Sequence, residues 1–247
     1  MIILTSCIDL YSKDENGVRI AHHFGNQNGI LDMFKNNIKK CDNFLFVASV
    51  EDNPEATDMY ANVTFESFKI TLPFAEYKVL DGRTAHDASK LVNEADFIFL
   101  CGGHLPTQNA FFNKIHLKEL LANAGALIVG GSAGSMNCAT TVYCPPELEG
   151  ESLDNNFNRY LKGLGYTDIN ILPHYNDFKY FELDGKDYMR DIITPDSYTT
   201  EIILINDGTY IVCDGNAETI YGEAYLLKNG IITPICDNDK SLDITKK

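Results

Sequence analysis

The first 140 residues alternate short apolar runs with longer amphipathic stretches, and this alternation constrains the fold more than any other feature. The runs are Ile2 to Thr5, Asn43 to Val50, Glu76 to Leu80, Asp96 to Leu100 and Ala126 to Val129. Near-continuous apolar strands of this length suit a parallel sheet covered on both faces. Between them lie helical patterns. Gly29 to Ile38 carries apolar residues at helical spacing, Pro54 opens a second stretch near its first turn, and Ala85 to Ala95 and Thr107 to Ala122 follow. Strand–helix alternation implies right-handed βαβ units. The predicted fold class is therefore α/β, a doubly wound, mainly parallel sheet between helical layers.

After residue 140 the texture changes. A short run, Ile169 to Leu172, ends at Pro173. From Glu201 the pattern reads strand–turn–strand, with Asn206-Asp207-Gly208, Asp214-Gly215-Asn216 and Lys228-Asn229-Gly230 as hairpin signals. This predicts an antiparallel C-terminal extension. No Pro/Ser-rich linker, repeat or low-complexity segment interrupts the chain, so one domain over residues 1–247 is expected.

Composition narrows the function classes. Twenty Lys and Arg against 35 Asp and Glu give a formal charge of -15. Such a surface repels phosphate backbones and anionic membranes, which argues against nucleic-acid or membrane partners. The seven cysteines are odd in number and lack CxxC spacing, so free thiols in a reducing compartment are expected. The start Met-Ile-Ile-Leu-Thr-Ser reads as a strand and not a signal peptide, and no apolar run reaches membrane-span length. A cytoplasmic location follows as the expectation. The adjacent His22 and His23 would point apart in a strand, so neither a metal nor another cofactor is expected.

Chemistry concentrates at Gly130-Gly131-Ser132-Ala133-Gly134, which follows the Ala126 to Val129 run and leads into a helical stretch. G-x-S-x-G between strand and helix is the context of a nucleophile elbow. Small residues must flank the serine because the turn is tight, and the Ala133 N–H can donate to an oxyanion. The plain alternative is a glycine-rich turn that packs tightly or holds a phosphate.

A serine hydroxyl needs a base at neutral pH. Among six histidines, His174 lies after Ser132 and follows a strand's carboxyl end; His104 competes, after Cys101-Gly102-Gly103 at another strand end. The Gly102-Gly103 pair lets a backbone N–H approach a ligand, making Gly103 a second candidate oxyanion donor. His104 and Arg190 are candidate substrate-binding residues; Arg190 sits in a helical stretch from Tyr188 to Ile193, where its fork could hold a carboxylate. The plain alternative for Arg190 is a surface pairing with Asp187 or Asp191.

Together these segments resemble serine peptidase family S51, which includes aspartyl dipeptidases and cyanophycinases. The resemblance covers Leu4-Thr5-Ser6, Cys101 to His104, Val129 to Met136, Leu172 to Asp177 and the closing segments from Asp207 and Tyr221. It implies a fold related to class I glutamine amidotransferases, with Ser132 as nucleophile, His174 as base and the Gly-Gly loop in the oxyanion hole. It also implies an acidic third member in the loop beyond the elbow helix. Glu147, 15 residues past Ser132, stands there, with Glu149 and Glu151 close behind; Asp177 is read as fixing the turn after His174.

Two departures from the family pattern stand out. His104 follows only two glycines, and Asp187 occupies the place where aspartyl dipeptidases carry an arginine. Asp-X specificity is therefore not carried over. The leading expectation is a serine exopeptidase or dipeptidase acting on short peptides through an acyl-enzyme, with a homodimer left open. The alternatives are a catalytically silent amidotransferase-like module and an α/β-hydrolase esterase. The esterase fits less well, because only 42 residues separate Ser132 from His174.

Overall fold

A computed structural model describes residues 1–215 and 217–245. The strands that matter are β1 (Ile2–Thr5), β2 (Asn43–Val47), β3 (Glu76–Leu80), β4 (Phe97–Leu100), β5 (Leu127–Gly131), β6 (Asn170–Leu172), β7 (Ile202–Ile205), β8 (Tyr210–Asp214), β9 (Ala217–Tyr221), β10 (Ala224–Lys228), β11 (Ile231–Cys236) and β12 (Ser241–Asp243). An eight-stranded sheet runs β12-β9-β8-β1-β5-β4-β2-β3. Its β1, β5, β4, β2 and β3 are mutually parallel, and β8, β9 and β12 extend it antiparallel. All five apolar runs of the N-terminal part are its parallel strands, as the sequence predicts.

Alternation along these runs feeds two cores. Ile2 and Leu4, Leu45 and Val47, and Ile98 and Leu100 point to one face, which is largely aliphatic. Ile3, Phe44 and Phe46, and Phe97 and Phe99 point to the other, which is aromatic. Both faces of β1, β2, β4 and β5 are buried, which is why these strands are almost wholly apolar; β3, at the sheet edge, keeps the polar Glu76 and Lys78. Helices α1 (Ile30–Asn37) and α2 (Pro54–Thr71) cover the aromatic face through Phe34, Phe65 and Phe68. Asn53 caps α2 by accepting the Ala56 N–H, with Pro54 at the first position. On the aliphatic face lie α3 (Ala88–Glu94), α4 (Leu105–Lys114) and α5 (Leu117–Leu121). The expected single helix over Thr107 to Ala122 is broken, because His116 adopts a left-handed conformation (φ 55) between α4 and α5.

A second, four-stranded sheet runs β6-β7-β10-β11 and packs Ile171, Ile203 and Ile205 against the aliphatic core. Its opposite face meets the turn Tyr188–Ile193 through Tyr188, Ile192 and Ile193. Asn206-Asp207-Gly208 is therefore not a hairpin. It carries the chain from β7 in the smaller sheet to β8 in the larger one, and the two strands do not pair. The β8–β9 and β10–β11 hairpins are present; Asn216, the last residue of the Asp214-Gly215-Asn216 signal, lies outside the described residues. Among the described residues, no helix is long and apolar enough to cross a membrane, and all seven cysteines are unpaired.

Candidate active site

Strand β5 ends at Gly131, and Ser132 turns the chain into the short helix α6 (Ala133–Met136). Ser132 has φ 49 and ψ -117, a region an L-residue occupies only at a cost of about 1–3 kcal/mol. The surroundings hold it there. Its N–H donates to the carbonyls of Thr5 (3.0 Å) and Ser6 (2.9 Å), and its own carbonyl accepts from Ser135 and Met136. The Ser135 hydroxyl donates to the Thr5 carbonyl and accepts the Thr5 N–H, each at 2.8 Å, fastening α6 to the end of β1. Gly134 is required by close approach, since a Cβ there would lie 2.1 Å from the Leu100 carbonyl oxygen. Gly102 faces the serine across the crevice; its Cβ would come within 3.2 Å of the Ser132 Cβ.

The His174 ring reaches the same point from the smaller sheet. It follows β6 and Pro173, with φ 55, and its Nε2 lies 3.0 Å from the Ser132 Oγ. Its Nδ1 lies 2.8 Å from an oxygen of Asp207. These two residues meet because β6 and β7 are parallel neighbours with Leu172 beside Leu204, so the segments leaving their carboxyl ends run side by side. The Ser6 hydroxyl joins them, donating to Asp207 (2.7 Å) and accepting the His174 backbone N–H (2.9 Å). Partial burial raises the Asp207 pKa, but the bonds from His174 and Ser6 outweigh it and hold the carboxyl below its ordinary value.

The third position therefore differs from expectation. Glu147 does not bond His174. Its carboxylate accepts the Leu105 N–H (3.3 Å) at the start of α4, where it serves as an N-terminal cap. Burial raises its pKa, partly offset by that N–H and by His104. Glu151 bonds the other histidine, with His104 Nε2 at 2.8 Å, while His104 Nδ1 meets the Thr107 hydroxyl at 2.7 Å. Burial raises the Glu151 pKa, yet the N–H groups of Glu147 and Leu148 together with His104 bring it below its ordinary value. Asp177 lies in the turn after His174, its N–H donating to the His174 carbonyl at 2.9 Å, and His174, Asp177 and Asp207 each bring one side-chain donor atom within 4.8 Å of the others.

Asp207 and Ser6 were not among the sequence candidates. The signal for Asp207 lies in topology. Strand β8 runs antiparallel to β1 with Tyr210 beside Thr5, so the residues just before β8 arrive at the carboxyl edge of β1.

Ser132, His174, Gly103 and His104 share the wall of a cavity of about 450 Å³ at the carboxyl ends of the parallel strands, the usual ligand position in such sheets. Ala133, the first residue of α6, has an N–H with no acceptor within the helix. Arg190 is elsewhere. Its guanidinium is 72% exposed, forks onto Asp191 with two 2.8 Å bonds, lies 3.9 Å from Asp187, and does not line the cavity. The surface pairing prevails because Asp191 is the adjacent residue and offers both oxygens. Cys7 also lines the cavity; solvent reaches it, but desolvation by the surrounding wall and the nearby Asp207, Asp9 and Asp177 push its thiol up, which disfavours a thiolate at neutral pH.

Comparison with known proteins agrees with this architecture. The chain is similar in fold to a provisionally named peptidase E protein from Listeria monocytogenes EGD-e, with a TM-score of 0.52 and 16% identity over 95% of this chain and 96% of that one. No curated protein matches the sequence. The model of Peptidase family S51 matches residues 21–221, a span that includes Ser132, His174 and Asp207, and the chain belongs to that family of serine peptidases.

Proposed function

We propose that this peptidase cleaves short peptides through an acyl-enzyme formed on Ser132. The observation that carries this reading is the unbroken line from Ser132 Oγ to His174 Nε2 (3.0 Å) and from His174 Nδ1 to Asp207 (2.8 Å). His174 takes the Ser132 proton as Oγ bonds to the scissile carbonyl carbon. Asp207 fixes the ring's orientation and stabilises the imidazolium. The Ala133 N–H and a donor from the Gly102-Gly103 loop face the carbonyl oxygen as it gains negative charge. His174 then gives its proton to the departing amine as the C–N bond breaks. Water, deprotonated by the same ring, attacks the ester and releases the acid and the free serine. No metal or cofactor enters the scheme. The catalytically silent alternative is disfavoured because serine, base and acid stand within bonding distance on a strained elbow.

The test is labelling with a fluorophosphonate probe followed by mass spectrometry, together with dipeptide hydrolysis. Wild-type protein is expected to be labelled on Ser132. Ser132→Ala is expected to lose labelling and about 10⁴-fold or more of turnover while keeping its fold. Near-wild-type turnover by Ser132→Ala would remove the serine from the mechanism.

A further inference from the structure

The cavity beside Ser132 carries information about the substrate. It extends over the aromatic face of the large sheet, between the ends of β1, β2 and β4 and one side of α2. Ile8, Leu10, Phe46, Val50, Tyr60 and Phe99 form its apolar wall. Ala56, Thr57, Tyr60 and Thr64 lie at helical spacing and present one face of α2 to it. Its volume of about 450 Å³ is ample for one large side chain beside the reacting serine.

Charge is what this wall lacks. Among the described residues, no Lys, Arg, Asp or Glu lines it. The two histidines that do line it each face a carboxylate already, Asp207 for His174 and Glu151 for His104, so any imidazolium formed is matched within the protein. Arg19 touches the wall without lining it: its guanidinium stacks over the Tyr60 ring at 4.3 Å and donates to the Tyr60 hydroxyl at 2.5 Å. A carboxylate side chain entering this cavity would lose its water and meet no cation in the lining itself; Arg19, which also lies 5.2 Å from the Tyr11 ring, rests against Tyr11 and Tyr60 without joining the lining. The net charge of -15 adds long-range repulsion. An ammonium side chain would find no carboxylate in the lining itself.

We propose that this cavity is the subsite for a bulky, uncharged side chain flanking the scissile bond, so that the enzyme selects peptides with an aromatic or large aliphatic residue there and discriminates against acidic ones. The proposal rests on the serine peptidase reading and adds the substrate class.

The experiment compares kcat/KM for the dipeptides Phe-Ala, Ala-Phe, Leu-Ala, Ala-Leu, Asp-Ala and Ala-Asp, with fluorophosphonate labelling of Ser132 run in parallel. The best Phe or Leu peptide should exceed the best Asp peptide by roughly tenfold or more. Ala56→Phe, which places a ring in the cavity from the exposed end of α2, should lower the ratio of Phe-peptide to Ala-Ala cleavage by roughly tenfold, mainly through KM. Labelling of Ser132 with Asp peptides preferred, or with no peptide cleaved, would overturn the subsite and leave the reactive serine standing. An unchanged Phe to Ala-Ala ratio in Ala56→Phe would overturn the subsite too. Absence of both labelling and cleavage would overturn the subsite and the catalytic reading together.

Discussion

Two histidines stand at the rim of the same cavity, each bonded to a carboxylate at 2.8 Å, and only one of them faces a strained serine. His174 has Asp207 on one ring nitrogen and Ser132 on the other. His104 has Glu151 on one and the Thr107 hydroxyl on the other. Side-chain exposure does not separate them, at 25% and 22%. What differs is the hydroxyl. Thr107 lies in the first turn of α4 in ordinary helical backbone, whereas Ser132 is held at φ 49 beside the first-turn N–H of Ala133. On the proposed mechanism, a histidine–carboxylate pair becomes catalytic only where the backbone supplies a nucleophile and an oxyanion donor at the same point.

The largest test of that contrast exchanges each histidine for alanine. His174→Ala should lower kcat by about 10³–10⁴-fold, because the members of such a unit fail together. His104→Ala should change kcat by less than about tenfold, with its effect falling on KM. The reverse outcome would assign the base to His104 and dissolve the distinction.

The carboxylates come next. Asp207→Asn keeps the size of the group but removes the charge that stabilises the imidazolium, and kcat should fall by roughly 10²–10⁴-fold. Glu147→Gln, measured in the same assay, should cost less than about tenfold, since Glu147 caps α4 and does not bond His174. Equal losses for the two variants would restore Glu147 to the site.

The smallest effect concerns Ser6. Hydrogen bonds from His174 and Ser6 hold the Asp207 carboxyl below its ordinary value. A depressed carboxyl stabilises the fold above its unfolded pKa, and that contribution is lost as pH falls through the lower, folded pKa. Ser6→Ala should raise the folded pKa, so Tm should begin to fall at a higher pH than in wild type on acidification. Superimposable Tm–pH curves would show that the Ser6 hydroxyl does not tune Asp207.

Much of this arrangement was legible in the residues. Ile2 to Thr5 and the runs ending at Val47, Leu100 and Gly131 read as buried strands because both faces of the sheet are covered there, Glu76 to Leu80 reads as a strand although it lies at the exposed edge, and the elbow reads from Gly134, where nothing larger fits against Leu100. The break at His116 escaped detection, since apolar spacing continues across one left-handed residue. Asp207 escaped for a different reason. Turn chemistry at Asn206-Asp207-Gly208 looks the same whether the chain folds back on its own sheet or crosses to another, and the choice depends on partners far away in sequence. Arg190 was plausible by spacing alone, but neighbouring carboxylates claimed it.

The three residues come from two separate sheets. His174 and Asp207 follow adjacent, paired strands of the smaller one, while Ser132 follows a strand of the larger. The 3.0 Å contact between Oγ and Nε2 therefore bridges the packed boundary between layers. Sliding one layer by roughly 1 Å would spare every backbone ladder yet cost on the order of 10²-fold in rate. Under the proposed mechanism, turnover would gauge layer alignment more finely than any signal that averages over secondary structure.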